Sequence, residues 1–374
     1  VKVLAICDQG GVSEFYRVGT PYRMLAEAGL IELVQDNGES ATIIDHLHKF
    51  EAIVFSRPDS PEHSLILAYA KQAGLRVIVD IDDNLFLLPP SIGVYSAWHQ
   101  RGSGKIMARL YYLKKNIKEA DVLTVSTQRL GEQLCNGEPH SLRERNDFIV
   151  LPNQVVTADW REMPVAEGIE KAEDEVWVGW WGIYNHWDDW RDIAPYIEPE
   201  IVKRPHVKLA LLGMPELAHL FPQLRQSGQL ITGPFIEPGE LAAYRSLVAM
   251  FDVALAPTSA CPFNESKSDL KLLQYGAAGL PVIASTVTYG HWRDGAILAR
   301  HPNTWGMRLA MLLDDLSVAR ELGAQLQAQV LSERTYEANF KRWLGALGVP
   351  EMPEQVAPPI PALDKVGNSE VVYG

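Results

Sequence analysis

FNESKSDLKLLQYGAAGLPVIAS, residues 263–285, carries the signals of a helix that runs into a buried strand. Ser266 or Ser268 can cap its start, because a short hydroxyl side chain accepts from the free N–H groups of a first turn. The step Gly279-Leu280-Pro281 ends it, since Gly takes the left-handed conformation that closes a helix and Pro cannot continue one. The apolar run Val282 to Ala284, closed by Ser285, predicts the strand. At about 100° per residue, Lys267, Lys271 and Gln274 share one narrow stripe. Leu270, Leu273 and Ala277 share another, roughly a quarter-turn away, so one face can pack while the other meets a ligand. Two ammonium groups near a helix N-terminus, where unpaired backbone N–H groups carry about half a positive charge, suit a diphosphate. The same pattern also describes an ordinary amphipathic helix with solvated lysines.

The residue string resembles the donor-binding segment of retaining GT-B glycosyltransferases of the group 1, or family 4, type, in particular those with the pattern KSxxKxLEYxAxGxPVxxS. The resemblance implies a nucleotide-diphosphate sugar bound here, with Lys267 and Lys271 in the catalytic role of holding the leaving diphosphate. In that family a glutamate at the position of Gln274 holds the nucleotide ribose, and an acidic residue eight positions upstream faces the transferred sugar. Here the upstream position is Ser266, with Glu265 one place out of register, and the ribose position is a neutral amide. Gln274 can still hydrogen-bond a diol, without charge assistance.

A chain of 374 residues suits two domains rather than one core. Hydrophobic residues at 47% and charged residues at 22% describe a globular composition. No apolar run approaches the roughly 20 residues that cross a bilayer, and the opening VKVLAICDQGG reads as a strand without a basic leader, so the expected location is cytoplasmic. Cys7, Cys135 and Cys261 lie far apart, which suggests neither a disulfide framework nor a zinc site. The net charge of -13 argues against nucleic acid and anionic lipid as partners, since both need clustered Lys and Arg.

In chain order, VKVLAIC and the following DQGG read as a strand and Gly-rich turn, without GxGxxG. A helix is expected from Pro21 to about Ala28, closed by Gly29. By the resemblance, Gly10, Gly11, Tyr16 and Arg17 line the acceptor or sugar side of a cleft; on residues alone they are a turn and a surface arginine. Strands are expected at 51–58 and 75–83 with a helix between, and alternating strands and helices imply parallel sheets with ligands beyond the carboxyl ends of the strands. Arg57 and Asp80, Asp82 and Asp83 lie at such ends. Asp80-Ile81-Asp82 could hold Mn²⁺ or Mg²⁺, but Asp at strand ends also caps turns. The string DIDDNLF resembles an N-terminal-domain feature of the same subgroup; Asp82 is taken as acceptor-side, and no obligatory metal or other cofactor is expected. Helix is expected from Ser96 to Asn116 and after Ser126, with strands at Val122 to Val125 and at 149–155.

The second half restarts with VWVGWWG, residues 176–182. Of the tryptophans at 177, 180, 181, 187 and 190, Trp177 and Trp181 are expected in the core, while Trp187 and Trp190 could serve either core or site. GIYNHWD, from Gly182, resembles the family's Gly-loop, with His186 toward the diphosphate. Gly182 would permit close backbone approach, and His186 could donate to phosphate. Strands follow at 207–213 and near 230, and the resemblance implies that backbone groups near Phe235 and Ile236 contact the nucleobase. FDVALAPTSACPFN, residues 251–264, leads into the opening segment. The segment RDGAILA comes later, and helices are expected at 303–314, 316–331 and 335–347.

Together these features imply an α/β chain of the GT-B type, two Rossmann-like domains with parallel sheets facing across a cleft. Residues 1–155 would be an acceptor domain, 156–175 a polar linker, 176–330 a donor domain, 331–348 a helix returning to the first domain and 349–374 a Pro-rich tail. The implied activity is a metal-independent, retaining hexosyltransferase using a UDP- or GDP-sugar and a hydroxyl acceptor, in surface-glycan or related biosynthesis. A small molecule, a protein or a modified nucleobase would also serve as acceptor. The alternatives are a sugar-nucleotide binding protein without turnover, motivated by Gln274 and Glu265, and an epimerase acting on the nucleotide sugar.

Overall fold

Buried, branched runs form the centre of each sheet. In a computed structural model, which describes residues 1–7, 11–38, 41–92, 95–99, 104–136, 141–144, 146–161, 163, 170–182, 186–233, 240–292 and 295–349, twelve strands fall into two six-stranded sheets. The first contains β1 (Lys2–Ile6), β2 (Glu32–Asp36), β3 (Ala52–Ser56), β4 (Arg76–Ile81), β5 (Val122–Val125) and β6 (Ile149–Val150), in the order β2-β1-β3-β4-β5-β6. The second contains β7 (Val176–Trp181), β8 (Val207–Leu212), β9 (Leu230–Gly233), β10 (Val253–Ala256), β11 (Val282–Ser285) and β12 (Ala296–Ala299), in the order β12-β11-β10-β7-β8-β9. Every pairing within these sheets is parallel.

Parallel strands need helical crossovers, and these cover both faces. Alternate residues of one strand therefore enter different cores: Leu4 and Ile6 pack with Phe55 and Val79, whereas Val3 and Ala5 pack with Val54 and Ile78. In the second half Val178 and Trp180 pack on one face of the sheet, and Trp177 with Ala210 on the other. This is a two-domain, Rossmann-like GT-B fold.

The two strand orders decide where a ligand can sit. Each is doubly wound, and such sheets open a crevice at the carboxyl ends of the strands where the order reverses. The reversal lies between β1 and β3 in the first sheet and between β7 and β10 in the second. The last strand residues there are Ile6, Ser56, Trp181 and Ala256.

The C-terminal segment ties the halves together. Val155 pairs in parallel with Thr335, and beyond it Tyr336, Trp343, Leu344 and Leu347 pack in the same core as Val3 and Ala5 of β1. The Tyr336 hydroxyl donates to the Tyr16 carbonyl and the Trp343 indole N–H to the Arg17 carbonyl, 3.2 Å away.

Several elements depart from their sequence reading. β2, ELVQD, has no sequence expectation; it is a half-exposed edge strand whose polar residues face solvent. Of the helix expected from Ser96 to Asn116, the described residues show Tyr95–His99 and Gly104–Glu119, and 100–103 lie outside them. The stretch expected as one helix over 335–347 is three short turns, Tyr336–Asn339, Phe340–Arg342 and Trp343–Ala346. The polar linker carries a helical turn, Thr157–Arg161, whose Trp160 is buried against the second domain's core. The Pro-rich tail lies outside the described residues from 350 onward.

Candidate functional site

The stretch from 262 to 285 does not form one helix. It forms Pro262–Ser266, an extended residue Lys267 with φ -60° and ψ 149°, and Leu270–Ala277. The cause lies in the side chains assigned to the cap. Ser266 is fully buried with its hydroxyl on the Phe263 carbonyl 2.9 Å away, and the Ser268 hydroxyl accepts from Asn153 Nδ2 at 2.9 Å. Asp269 occupies the N-cap position, but its carboxylate is taken by Arg334 at 2.7 and 2.9 Å, by the Trp292 indole N–H at 3.0 Å and by His291 at 3.0 Å. Those partners hold the Asp269 pKa far below the usual carboxylate range, although burial opposes the charge. Gly279 does close the helix as read, at φ +76°.

The break puts Lys267 and Lys271 on the wall of one cavity of about 260 Å³ between the two sheets' carboxyl ends. Lys271 Nζ donates to the Trp181 carbonyl and lies 5.2 Å from the Trp180 ring centroid, and Lys267 Nζ lies 4.8 Å from that of Phe263. Burial, and then repulsion from Lys267, bring the Lys271 ammonium down to about 7. Trp181 packs, partly buried, against the second domain's core and also lines the cavity, and its indole N–H has no partner among the described residues. Trp177 is core as expected, and so are Trp180 and Trp190.

Gln274 also lines the cavity, and both ends of its amide are in use. Its Oε1 accepts from the Tyr244 hydroxyl and its Nε2 donates to the Tyr16 hydroxyl, each at 2.9 Å, so Tyr16 of the first domain is bonded directly to the Leu270–Ala277 helix. Burial pushes Tyr16 up to about 12, the bond from Gln274 notwithstanding. Glu265 and Ser266 do not join this group. Glu265 is exposed and pairs with Arg129 at 2.8 Å, and Ser266 points into the protein.

His186 lines the cavity at the end of the β7 loop, with Nδ1 2.7 Å from Asp189 Oδ2. Burial lowers its pKa to about 4, with the two lysines adding to the effect and Asp189 opposing it. Gly182 faces inward, not into the cavity; a Cβ there would stand 2.3 Å from the Trp180 ring and 3.1 Å from His186 Cδ2, so only glycine leaves room for that packing.

On the first domain's side, Tyr16 and Arg17 lie on a π-turn, Phe15–Gly19, after β1. Arg17 is not a surface arginine. It is 1% exposed and forks onto Asp80 at 2.9 and 2.7 Å, with Asn153 Oδ1 at 3.0 Å. Burial works against its charge, but Asp80 outweighs it and raises the pKa. Asp80 accepts from the Thr124 hydroxyl as well, at 2.6 Å, so the first carboxylate of the Asp80-Ile81-Asp82 triplet is saturated by the protein. Asp82 lines the cavity and pairs with Arg57, which holds its charge below the usual range against burial. The neighbouring Asp83, at 3.4 Å from Arg57, is pushed up by burial and by Asp82. Among the described residues no three His, Cys, Asp or Glu side chains are grouped to hold a metal. Gly11 begins the short helix before Tyr16 but does not line the cavity. Gly10, Phe235 and Ile236 lie outside the described residues.

Sequence reading missed Asp83, Tyr244, Thr258 and Tyr289 as lining residues. Asp83 had a signal, being adjacent to Asp82 at a strand end; Tyr244 sits in an ordinary amphipathic helix, Leu241–Val248, and had none.

No protein-family model matches the sequence and no curated protein matches it. Solved structures do. Anabaena HepE, in complex with UDP and glucose, superposes with a TM-score of 0.59 at 12% identity, over 93% of this chain and 99% of that one. Sucrose-phosphate synthase from Thermosynechococcus elongatus gives 0.58 at 16% identity, over 93% and 98%. A glycosyltransferase from Rickettsia africae gives 0.56 at 10% identity, over 92% and 97%. At these identities the shared property is the fold, and the present chain has the GT-B architecture along nearly its whole described length.

Proposed function

We propose that the chain is a retaining, metal-independent glycosyltransferase that moves a hexose from a nucleotide-diphosphate sugar to a hydroxyl acceptor, in surface-glycan or related biosynthesis. Two lysines meeting in the cavity at the reversal point of a Rossmann-order sheet carry this reading. HepE, a structural neighbour, is a complex with UDP and glucose, which supports a UDP-sugar. Residues 176–330 would bind the donor and residues 1–155 the acceptor, with 156–175 linking them and 331–348 returning to the first domain. Three free cysteines agree with a reducing, cytoplasmic setting.

Breaking the bond from sugar to phosphate leaves negative charge on the diphosphate. Lys267 and Lys271 would stabilise it, each close pair contributing about 4 kcal/mol at an effective dielectric of 20 before desolvation. Because the charge grows during bond breaking, this help is greater in the transition state than in the ground state. Attack from the face the diphosphate leaves, with the leaving phosphate taking the acceptor proton, would give retention. Asp82 and Asp83 would face the acceptor side, and Tyr16 and Arg17 would shape it.

One observation favours a second reading, a nucleotide-sugar binding protein without turnover: the Gln274 amide is already bonded at both ends to tyrosines. Thermal shifts with UDP, GDP, ADP and their sugars, with and without Mg²⁺, test the donor site on wild type and Lys271→Ala. A metal-independent shift for one base, lost in the variant, is the expected outcome; no shift with any nucleotide would refute the donor site. Product formation then separates enzyme from binding protein.

A further inference from the structure

Resting on that reading of the cavity as a donor site, we propose that Asp189 is a positioning residue that locks His186 in one tautomer, so that His186 accepts a hydrogen bond from a donor hydroxyl rather than giving one to phosphate.

The geometry sets the tautomer. Asp189 is buried, and its Oδ1 accepts from the Ser259 backbone N–H at 2.6 Å and from Asn264 Nδ2 at 3.1 Å. Two donors on one oxygen favour the carboxylate, which can then only accept at Oδ2. The partner 2.7 Å from Oδ2 is His186 Nδ1, so that nitrogen carries the proton. Nε2 is left as the ring nitrogen with no partner among the described residues, on a residue that lines the cavity.

Burial, more than any neighbouring charge, keeps the imidazole neutral. Lys267 and Lys271 also repel a second proton, the Trp180 ring packs edge-on at 5.1 Å, and only Asp189 would favour the imidazolium. A neutral, Nδ1-protonated imidazole offers Nε2 as a lone pair. Phosphate oxygens at neutral pH are acceptors and would be repelled by it; a hydroxyl donates and is held. The lysines and His186 would thus divide the donor between them, with cations for the diphosphate and a lone pair for a hydroxyl.

The test has two parts. Histidine-labelled full chain, with the His186 signal assigned by its loss in His186→Gln, is read by ¹⁵N NMR at pH 7. The proposal expects a protonated Nδ1 and a bare Nε2; an Nε2-protonated ring or an imidazolium at that pH overturns it. The spectrum needs no nucleotide, so failure of the tautomer and failure of the donor site are read separately. Calorimetry then compares UDP-glucose, GDP-glucose and inorganic pyrophosphate on wild type and Asp189→Asn. An asparagine amide can turn its N–H toward Nδ1 and reverse the tautomer. The sugar nucleotide should then weaken by about tenfold, the worth of the one hydrogen bond lost when Nε2–H, itself a donor, meets the donating hydroxyl, while pyrophosphate, which has no such hydroxyl to give, keeps its affinity. Equal weakening of both, or of neither, overturns the positioning role. Failure of wild type to bind either sugar nucleotide overturns the donor site itself.

Discussion

UDP-glucose binding should draw a proton onto the protein between about pH 7 and 9, and Lys271 is the group that takes it. In the free protein burial and the neighbouring Lys267 lower its pKa from 10.5 to about 7. About half of the molecules then hold a neutral Lys271 at pH 7. A diphosphate against Nζ favours the ammonium and returns the pKa toward its ordinary value. The sign follows from that difference: the complex binds more protons than the free protein, so affinity falls as pH rises through 7. With the bound pKa above about 9, uptake is about 0.5 proton at pH 7 and about 0.9 at pH 8, and affinity drops about tenfold per unit beyond that. UDP-glucose is the right probe, since the terminal phosphate of UDP titrates near pH 6 and would add its own proton. Calorimetry in buffers of different ionisation enthalpy counts the protons directly. Lys267→Ala removes the repulsion and should lower the uptake measured at pH 7. Bound UDP-glucose with no uptake at pH 8, and an affinity flat from pH 7 to 9, would refute the reasoning.

Further outcomes concern the frame around the site. Arg334→Ala leaves Asp269 buried with only the Trp292 and His291 contacts, and should cost about 3 kcal/mol in urea unfolding, as breaking one side of a buried pair does. Gly279→Ala forces a side chain into the left-handed region at φ +76° and should cost about 1 to 2 kcal/mol by the same assay. Because His186 is held near 4, below its ordinary value of 6.5, the unfolded chain binds the extra proton first, so stability present above pH 6.5 is lost as pH falls toward 4. Urea midpoints at pH 7 and 4.5 should therefore differ less in His186→Gln than in wild type. Tyr16→Phe removes the bond from Gln274 that joins the domains and should lower stability by about 1 kcal/mol, read as a smaller urea midpoint at unchanged slope.

Much of the scaffold was legible in the residues, for a definite reason. Strands buried on both faces write themselves as short apolar runs, and Val122–Val125 and Val207–Leu212 fall within a residue of their reading. β2 is invisible by the same rule, because an edge strand half in water has no need of apolar residues. Gly279 was readable because only one residue type suits its backbone. Within the site, the family resemblance pointed to Lys267, Lys271, His186, Gln274, Tyr16, Arg17 and Asp82, all of which line one cavity. What they do to one another was not readable.

Helical periodicity set Lys267 and Lys271 on one stripe, and the structure instead brings them together through a break in the helix, since Ser268 and Asp269 have tertiary partners that outcompete local capping. Arg17 read as a surface cation and is buried against Asp80, 63 residues away in sequence. Gln274 read as a ribose ligand and is bonded to Tyr16, 258 residues away. Sequence alone therefore determined the α/β repeat and the strand cores, because these depend on local propensity and the period of burial. Only the tertiary structure decided which charges are paired, which lysine loses its proton near neutrality and which histidine nitrogen carries one, because those depend on desolvation and on partners that chain distance cannot reveal.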